Sequence, residues 1–440
     1  MDIRPLKKQK VQTDSYQHTI NREVLNFDFE KVCSVTLSHN NVYCCLVCGK
    51  YFQGRSISSP AYNHTINIDH HIFLNLKSQK FYILPENQEI DGIQDIKDLL
   101  DPKYTKDDVN NLPETALDLH KKSYYVGYTG LDNISNNDYE NVIIQALSHI
   151  RPIRDFYLRL SYRDKLHDQI QRKSILNDRF GILIRKLWSI HLYRNHVSPH
   201  ELLQYVSEVS KSQFSLTVQK SPKKFLIWLL NGLHSQLVKY TKSTVISESL
   251  QGALEITSFD GDGVQVKSTT TSKFWVITVD LPPAPLFVGE TIQEVQLSSL
   301  LAKYNGETKV HISKDELRSY KLVEPLPPYL IIHIDRGLEK EDVKKGNPTV
   351  VQFQDVIDFA PFVTQEKPTP INYRLLSTIK HDSITGDEID ESDIKSEWSI
   401  NVRKKVDDTW FTIKDSEVKP CQGELLFLDE NYIQIWEKVE

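Results

Sequence analysis

The sequence is poor in cysteine: five occur in 440 residues, and four of them lie between Cys33 and Cys48. Such a chain cannot be a secreted disulfide scaffold, and a reducing compartment is expected. No apolar run approaches the ~18 residues that would cross a bilayer, and the start, MDIRPLKKQK, has no apolar h-region. Neither a transmembrane helix nor a signal peptide is expected, and a membrane is not among the expected partners. Positive charge is not in excess either, since 53 Lys and Arg against 59 Asp and Glu leave −6, which excludes a globally basic nucleic-acid binder. There is no internal repeat and no long low-complexity tract. What the chain does have is 39% hydrophobic and 10% aromatic residues, enough to build an interior. At roughly 150 residues per domain its length predicts two or three folded units, with a soluble, intracellular protein as the result.

Composition along the chain divides it into four parts. Residues 1–22 are polar and unpatterned and read as a flexible basic tail, in which Arg4, Lys7, Lys8 and Lys10 also suit a nuclear import tag. Residues 23–102 hold the four clustered cysteines and many histidines, which implies a small cysteine/histidine module. Residues 103–123 are charged, with few large apolar groups, and read as a linker with room for one short helix. From 124 to 440 helical patterns come first: Leu176, Phe180, Leu183, Leu187 and Ile190 recur at helical spacing, as do Phe225, Leu229, Leu233 and Leu237. After about residue 245 short β-rich runs take over, among them FWVITVDL, YLIIHI, TVVQF, EWSINV and YIQIW. Helices followed by strands predict an α+β domain.

Within the small module, Cys45 and Cys48 form a C-x2-C pair, followed by His64 and His70. Two thiolates on a tight turn and two imidazoles make a closed tetrahedral shell for zinc, and a closed shell is structural rather than catalytic. A module this small also needs a staple to hold it. Cys33, Cys44, His39 and His71 remain alternative ligands; on a strand, Cys44 would point away from its neighbour Cys45.

The runs FDFEKVCSVTLSHNNVYCCLVCGKYFQGR and HHIFLNLKSQKFYILP resemble the ubiquitin-processing-protease type of zinc finger, the ZnF-UBP, whose usual role is to bind the free carboxy terminus of ubiquitin. The resemblance assigns zinc to Cys45, Cys48, His64 and His70. A second zinc site of most members is missing, because Thr36 and Gln53 stand at two of its cysteine positions, so one structural Zn2+ is expected. Arg55 matches the ubiquitin-tail pocket and Tyr43 replaces its tryptophan, but Leu84 falls where that pocket has a tyrosine, which argues against tail binding.

GLDNISNNDYENVIIQAL, residues 130–147, resembles the cysteine box of ubiquitin-specific proteases, and KFLIWLLNGLH, LPPYLIIHIDR, YRLLSTIKH and YIQIWEK extend the likeness across residues 124–440. The resemblance implies a papain-like domain of thumb, palm and fingers without its catalytic triad. The nucleophile position is Asp138, the histidine position in SEWSINV is Glu397, and the orienting acid in WFTIKDSEV is Lys414, followed by Asp415. Asn133 survives from the oxyanion site. No thiolate, base and orienting acid remain to work together. A water-activating carboxylate pair at Asp138 and Glu397 would need a symmetric approach and a clear substrate channel; the expectation is instead that Lys414 neutralises one or both, within salt-bridge reach. The stretch QGALEITSFDGDG also lacks the cysteines of the zinc ribbon that active members carry in their fingers.

The combination of this finger with an inactive protease-like domain resembles one group in particular, the splicing-associated ubiquitin-specific-protease-like proteins of the U4/U6·U5 tri-snRNP. CLVCGKYFQGR, HHIFLNL, ISNNDYENVIIQALSHI, HVSPHELLQ, LPPYL and NYIQIW are its distinctive stretches. That likeness implies a nuclear, non-enzymatic role in assembling or stabilising the tri-snRNP before spliceosome activation. The implied partners are its proteins, including the U5-associated helicase and other large U5 proteins. A non-catalytic ubiquitin-binding protein is the alternative. Residues 151–200 carry a net charge of 11 − 4 = +7 interleaved with Phe156, Tyr157, Tyr162, Phe180, Trp188 and Tyr193, a composition that suits RNA contact or an amphipathic helix with a solvated face. Residues 382–397 hold seven acidic groups against Lys395 and read as a solvent loop over the cleft.

Overall fold

The computed structural model describes residues 16–439 except 29, 92, 160–173, 240–242, 285–291, 314–315, 339–345, 364–368 and 385–394. The first unit is an antiparallel sheet of β1 (Val42–Cys45), β2 (Tyr51–Gln53), β3 (Ile72–Asn75), β4 (Phe81–Ile83) and β5 (Gln88–Ile90), in the order β2-β1-β3-β4-β5. Helices α1 (Pro60–Ile68) and α2 (Gln94–Leu100) complete it. Strand alternation sends Cys44 into one apolar cluster with Leu74 and Ile83, and Cys45 into the other with Phe52 and Phe73.

The chain ahead of this sheet departs from the expected tail. From Tyr16 onward it is packed on the finger: Tyr16 stacks on His71 at 4.2 Å, Ile20 lies against the core, and the Asn21 amide donates to the Leu46 carbonyl. Residues 16–22 are therefore not a free tail, and residues 1–15, with the basic cluster Arg4 to Lys10, lie outside the described residues. The expected linker is packed as well. Around α3 (Lys106–Asn110), Tyr104 and Val109 are buried in the core of the larger unit, and β6 (Thr115–Leu117) pairs with β7 (Ser123–Tyr125). Leu112 and Ala116 pack against the same core, so apolar side chains spaced along an otherwise polar segment dock it.

The larger unit begins with β8 (Gly130–Leu131), paired in parallel with β9 (His196–Val197). Its helical part comprises α4 (Asp138–Ser148), α5 (Arg151–Leu158), α6 (Ile175–Leu187), α7 (His200–Val209), α8 (Pro222–Leu237) and α9 (Val245–Leu250). The two apolar stripes form α6 and α8, and Leu176, Phe180, Leu183, Leu187, Phe225, Leu229, Leu233 and Leu237 are all buried. Ile190 is the exception, since α6 stops at Leu187 and Ile190 is exposed. Every residue of α4 is buried, because it lies against the main sheet on one side and α5 and α8 on the other.

Two sheets follow. β10 (Gly252–Phe259), β11 (Val266–Phe274), β14 (Asn305–Ser313) and β15 (Glu316–Val323) form a projecting antiparallel sheet ordered β11-β10-β15-β14. The main sheet runs β12 (Ile277–Asp280), β16 (Tyr329–Asp335), β23 (Asn431–Lys438), β19 (Asn372–Ile384), β20 (Lys395–Arg403), β21 (Trp410–Lys414), β22 (Glu417–Cys421), with β18 (Val356–Asp358) on β19. β13 (Glu294–Gln296) and β17 (Val350–Gln352) pair in parallel beside short helix α10 (Leu297–Leu301). This is the α+β architecture that the order of patterns predicts. The finger is fixed to α6, α7 and the segment between them by polar contacts: Lys186 Nζ to Asp28 at 2.7 Å, Arg185 Nε to Asp101 at 2.7 Å, the Tyr193 hydroxyl to the Glu23 carbonyl at 2.9 Å, and an ion pair of Lys31 with Glu201.

Candidate functional site

The first site is built at the end of β1. Gly49, at φ 73°, turns the chain back, its amide donating to the Cys45 carbonyl at 2.9 Å, and a Cβ there would sit 2.4 Å from the Val24 carbonyl oxygen. That turn aims Cys45 and Cys48 at one point. Opposite them, α1 starts at Pro60 with Ser59 as its cap and ends at Asp69 in the left-handed region, φ 64°. The reversal at Asp69 brings His70 back to face His64, whose ring is stacked on Phe52 at 4.2 Å. The four ligand atoms of Cys45, Cys48, His64 and His70 lie within 4.8 Å of one another.

Their separations match a tetrahedral ion. Bonds of 2.3 Å to sulfur and 2.0–2.1 Å to nitrogen put S and N about 3.5–3.6 Å apart and N and N about 3.3–3.4 Å apart. The observed distances are 3.6 Å for Cys45 Sγ to His70 Nδ1, 3.5 Å for Cys48 Sγ to His64 Nε2, and 3.1 Å between the two histidines. The donor set therefore fits zinc. The alternative ligands are elsewhere. Cys44 is on the other face of the sheet, His39 sits beside Glu30, and His71 bonds the Leu84 carbonyl and Asp69. Cys33 Sγ accepts the amides of Val35, Thr36 and Gln53 at 3.4, 3.4 and 3.1 Å, while the Thr36 hydroxyl donates to the Gln53 side chain at 2.8 Å.

The second site lies where the first turn of α4 meets β20 and β21. Asp138, the first residue of α4, accepts the Gln219 amide on both oxygens at 2.8 Å and the Trp398 backbone amide at 2.9 Å. Burial nevertheless raises its pKa above the usual carboxylate range. The expected ion pair is present, between Lys414 Nζ and Glu397, and the hydrogen bond to Glu397 raises the Lys414 pKa. Gly130 lets the start of the box approach the β21–β22 turn: a Cβ there would lie 2.6 Å from Ser416, and the Leu131 amide reaches the Asp415 carbonyl at 2.9 Å. Asp415 takes φ 50°, a conformation that Asp tolerates, and its carboxylate accepts Asn133 at 3.1 Å and Asn141 at 3.4 Å. Burial raises the pKa of Asp415 too. The buried neighbour Glu140 is pushed up to about 8, chiefly by loss of solvent.

A family model described as ubiquitin carboxyl-terminal hydrolase matches residues 129–436, and one described as Zn-finger in ubiquitin-hydrolases and other protein matches residues 32–95. The chain belongs to the ubiquitin carboxyl-terminal hydrolase family. It is 37% identical to the probable mRNA-splicing protein ubp10 of Schizosaccharomyces pombe, over 96% of this chain and 88% of that one. It is 33% identical to the pre-mRNA-splicing factor SAD1 of Saccharomyces cerevisiae, over 99% and 96%. Among solved structures, one described as the crystal structure of an essential yeast splicing factor superposes with a TM-score of 0.80 at 30% identity, covering 97% of this chain and all of that one.

Asp138, Glu397, Lys414 and Asn133 lie where the start of α4 meets β20 and β21, and each is bound to a neighbour. The Asn133 amide, a donor for a developing oxyanion in a working cleft, is taken up by Asp415. A serine–histidine contact does exist, His381 Nε2 with Ser396 Oγ, yet Glu430 lies 3.7 Å from the other ring nitrogen, too far to orient it. Cys421 pairs with Trp410 at the opposite end of the β21–β22 hairpin from Lys414, about 13 Å away at ~3.3 Å per residue. Gln219, which bridges Asp138 and the Ser396 carbonyl, was not singled out from the sequence, because a lone glutamine ahead of α8 belongs to no motif.

Between the two readings of residues 151–200, burial favours the core helix for three aromatics. Tyr157, Phe180 and Trp188 of the basic 151–200 stretch are buried in the core, so they offer no stacking face to RNA; Tyr162 lies outside the described residues. Most of the acidic loop, residues 385–394, does so too. In the finger, the Arg55 guanidinium lies 4.2 Å over the Tyr82 ring and is bonded to Asn87, while Tyr43 and Leu84 are buried.

Proposed function

We propose that the chain is a non-enzymatic pre-mRNA-splicing protein of the nucleus, a scaffold that promotes assembly or stability of the U4/U6·U5 tri-snRNP before spliceosome activation. The observation that supports the non-enzymatic reading is the pairing of Asp138, Glu397 and Lys414, the residues aligned with the triad, in hydrogen bonds and an ion pair, so that none of these three positions offers a nucleophile with a base. The splicing assignment is supported by relatives that match nearly the whole chain and are named as splicing proteins. In this reading residues 23–102 are the finger, held by one structural zinc ion on Cys45, Cys48, His64 and His70, residues 103–123 join it to the rest, and residues 124–440 are the inactive protease-like body. Partners are protein components of the particle, with the U5-associated helicase and other large U5 proteins foremost.

The test is purification of the tagged protein from nuclear extract at graded salt, with the eluate probed for U4, U5 and U6 RNAs and for ubiquitin conjugates. All three RNAs are expected at moderate salt. Their absence, with ubiquitin conjugates retained instead, would replace the scaffold by a ubiquitin-binding protein. Against that second reading stands the finger, where Arg55 is already engaged by Tyr82 and Asn87.

A further inference from the structure

The stripe of Phe225, Leu229, Leu233 and Leu237 takes one side of α8 into the core, and a second stripe runs along the opposite side. Trp228, Asn231, Gly232, Ser235 and Gln236 fall at i, i+3, i+4, i+7 and i+8, the spacing of a single helical face. That face is the floor of an open groove of about 400 Å³, a size that takes a ligand. Tyr205 and Val209, one turn apart on α7, form a wall, and Leu176 of α6 completes the lining. α6 packs against both α7 and α8 beneath it.

The groove holds no carboxylate, ammonium or guanidinium, in a chain of which a quarter is charged. Its unengaged polar groups are donors. Asn231 Oδ1 accepts the Trp275 indole N–H at 2.8 Å, and Gln236 Oε1 accepts the Asn177 side-chain amide at 3.1 Å and its backbone N–H at 3.4 Å. Indole and backbone N–H groups can only donate, so both side-chain orientations are forced and both amide nitrogens are left over. Neither nitrogen has a partner among the described residues, nor does the Trp228 indole N–H. Unlike the Trp188 N–H in the core, none of the three is shut off from solvent. The Trp228 ring is braced on its inner side by the buried Phe214 and Phe225, with centroids 5.5 and 6.3 Å away.

The complement is an uncharged, apolar chain whose carbonyl oxygens are free to accept. A helix spends its carbonyls on itself, and a strand needs a sheet edge, which walls of helix do not offer. A polyproline II segment meets both terms, since its rings are apolar and its backbone makes no internal hydrogen bond. The lengths agree as well. From Trp228 to Gln236 the floor spans about 12 Å at ~1.5 Å per residue, which four polyproline II residues cover at ~3.1 Å each. RNA would bring phosphates to a lining without a cation. Arg179, whose guanidinium lies 5.0 Å over the Tyr205 ring, donates to the Glu201 carbonyl and is not part of that lining.

We propose that the groove between α7 and α8 binds a proline-rich segment of a partner protein in the polyproline II conformation. Its rings lie on Trp228, Tyr205 and Val209, and its carbonyl oxygens accept the N–H groups of Asn231, Gln236 and Trp228. The groove shares no residue with the cleft or the finger, so the proposal does not rest on the splicing reading.

The experiment uses the full chain and fluorescence anisotropy at physiological ionic strength with four labelled probes: decaproline, a Gly-Ser decapeptide, an amphipathic Leu-Lys helical peptide and an oligouridylate. Decaproline is expected to saturate in the micromolar range, at least tenfold more tightly than any of the others. Asn231→Asp, at an exposed position, keeps the acceptor for Trp275 and removes the donor. It is expected to weaken decaproline binding at least fivefold, whereas Asn110→Asp, the same exchange at an exposed position of α3, leaves it unchanged. A photo-crosslinker on decaproline is expected to label residues within 205–209 or 228–236. Failure of decaproline to saturate at about 1 mM, binding of any other probe as tightly as decaproline, labelling confined to other segments, or an equal effect of the two variants would each overturn the proposal.

Discussion

Glu140 makes the sharpest quantitative case. It sits in the first turn of α4, 1% exposed, with one carboxylate oxygen buried and unpartnered. Loss of solvent raises its pKa to about 8 against an ordinary 4.5; the Tyr139 hydroxyl works against that shift and Asp138 adds to it. Between those two values the folded chain keeps a proton that the unfolded chain releases, so stability falls as pH rises from about 4.5 and stops falling once the folded group has itself ionised near 8. At 1.36 kcal/mol per pH unit the full gap is worth roughly 5 kcal/mol, and relaxation around the ionised group reduces this to about 3–5 kcal/mol. Glu140→Gln removes the titration while keeping the shape. Urea unfolding of parent and variant in parallel, from pH 5 to 8.5, isolates this one group because every other titration is common to both. The variant's advantage is expected to be small at pH 5 and to grow by several kcal/mol by pH 8. A difference that does not change with pH would refute the assignment of a buried, protonated carboxyl.

Removing the metal by a strong chelator, or replacing Cys48 by serine, is expected to unfold the finger, at a cost on the order of 10 kcal/mol for such a site; atomic absorption should find one zinc per chain before treatment and circular dichroism should report the loss. Lys186→Ala leaves Asp28 half-buried without its partner and is expected to cost about 1–3 kcal/mol, read as faster proteolytic release of the finger from an intact body. Asp138→Cys alone is expected to give a thiol that reacts with iodoacetamide but cleaves no ubiquitin substrate, since Glu397 and Lys414 still occupy the positions of base and orienting acid; turnover by this single variant would show that a base is at hand.

How much of this was legible in the sequence depends on where the signal lay. The zinc quartet was readable because its four donors fall within 26 residues and carry a spacing that metal geometry dictates. The α6 and α8 stripes were readable because burial of one helical face writes a period into the sequence. Asp138, Glu397 and Lys414 could be aligned on flanking motifs, and the Lys414–Glu397 pair followed from opposite charges placed on adjacent strands. Gln219 and Tyr104 could not be read in this way. Their importance comes from reaching a partner 81 residues away, Asp138 for the first and the Arg185 carbonyl for the second, and a single residue leaves no local pattern. The aromatics of 151–200 left two readings open, because an amphipathic core helix and a basic RNA-binding face share one pattern; burial of Tyr157, Phe180 and Trp188 puts these three in the core.

At both places where the family resemblance leaves a site incomplete, the side chains present are paired. Where the finger resembles one with a second zinc, Thr36 and Gln53 now bond each other, and Cys33 keeps three backbone amides on its sulfur. Where the body resembles one with a triad, Asp138 gained Gln219, Glu397 gained Lys414, and Asn133 gained Asp415. Both places hold a paired polar network, and a half-satisfied network in a buried place is worse than none. Single reversions are therefore expected to lose stability before they gain chemistry, because each strands a partner that the substitution had engaged. Asp138→Cys is the clearest case, since it would leave the Gln219 amide and the Trp398 backbone amide without the carboxylate they share.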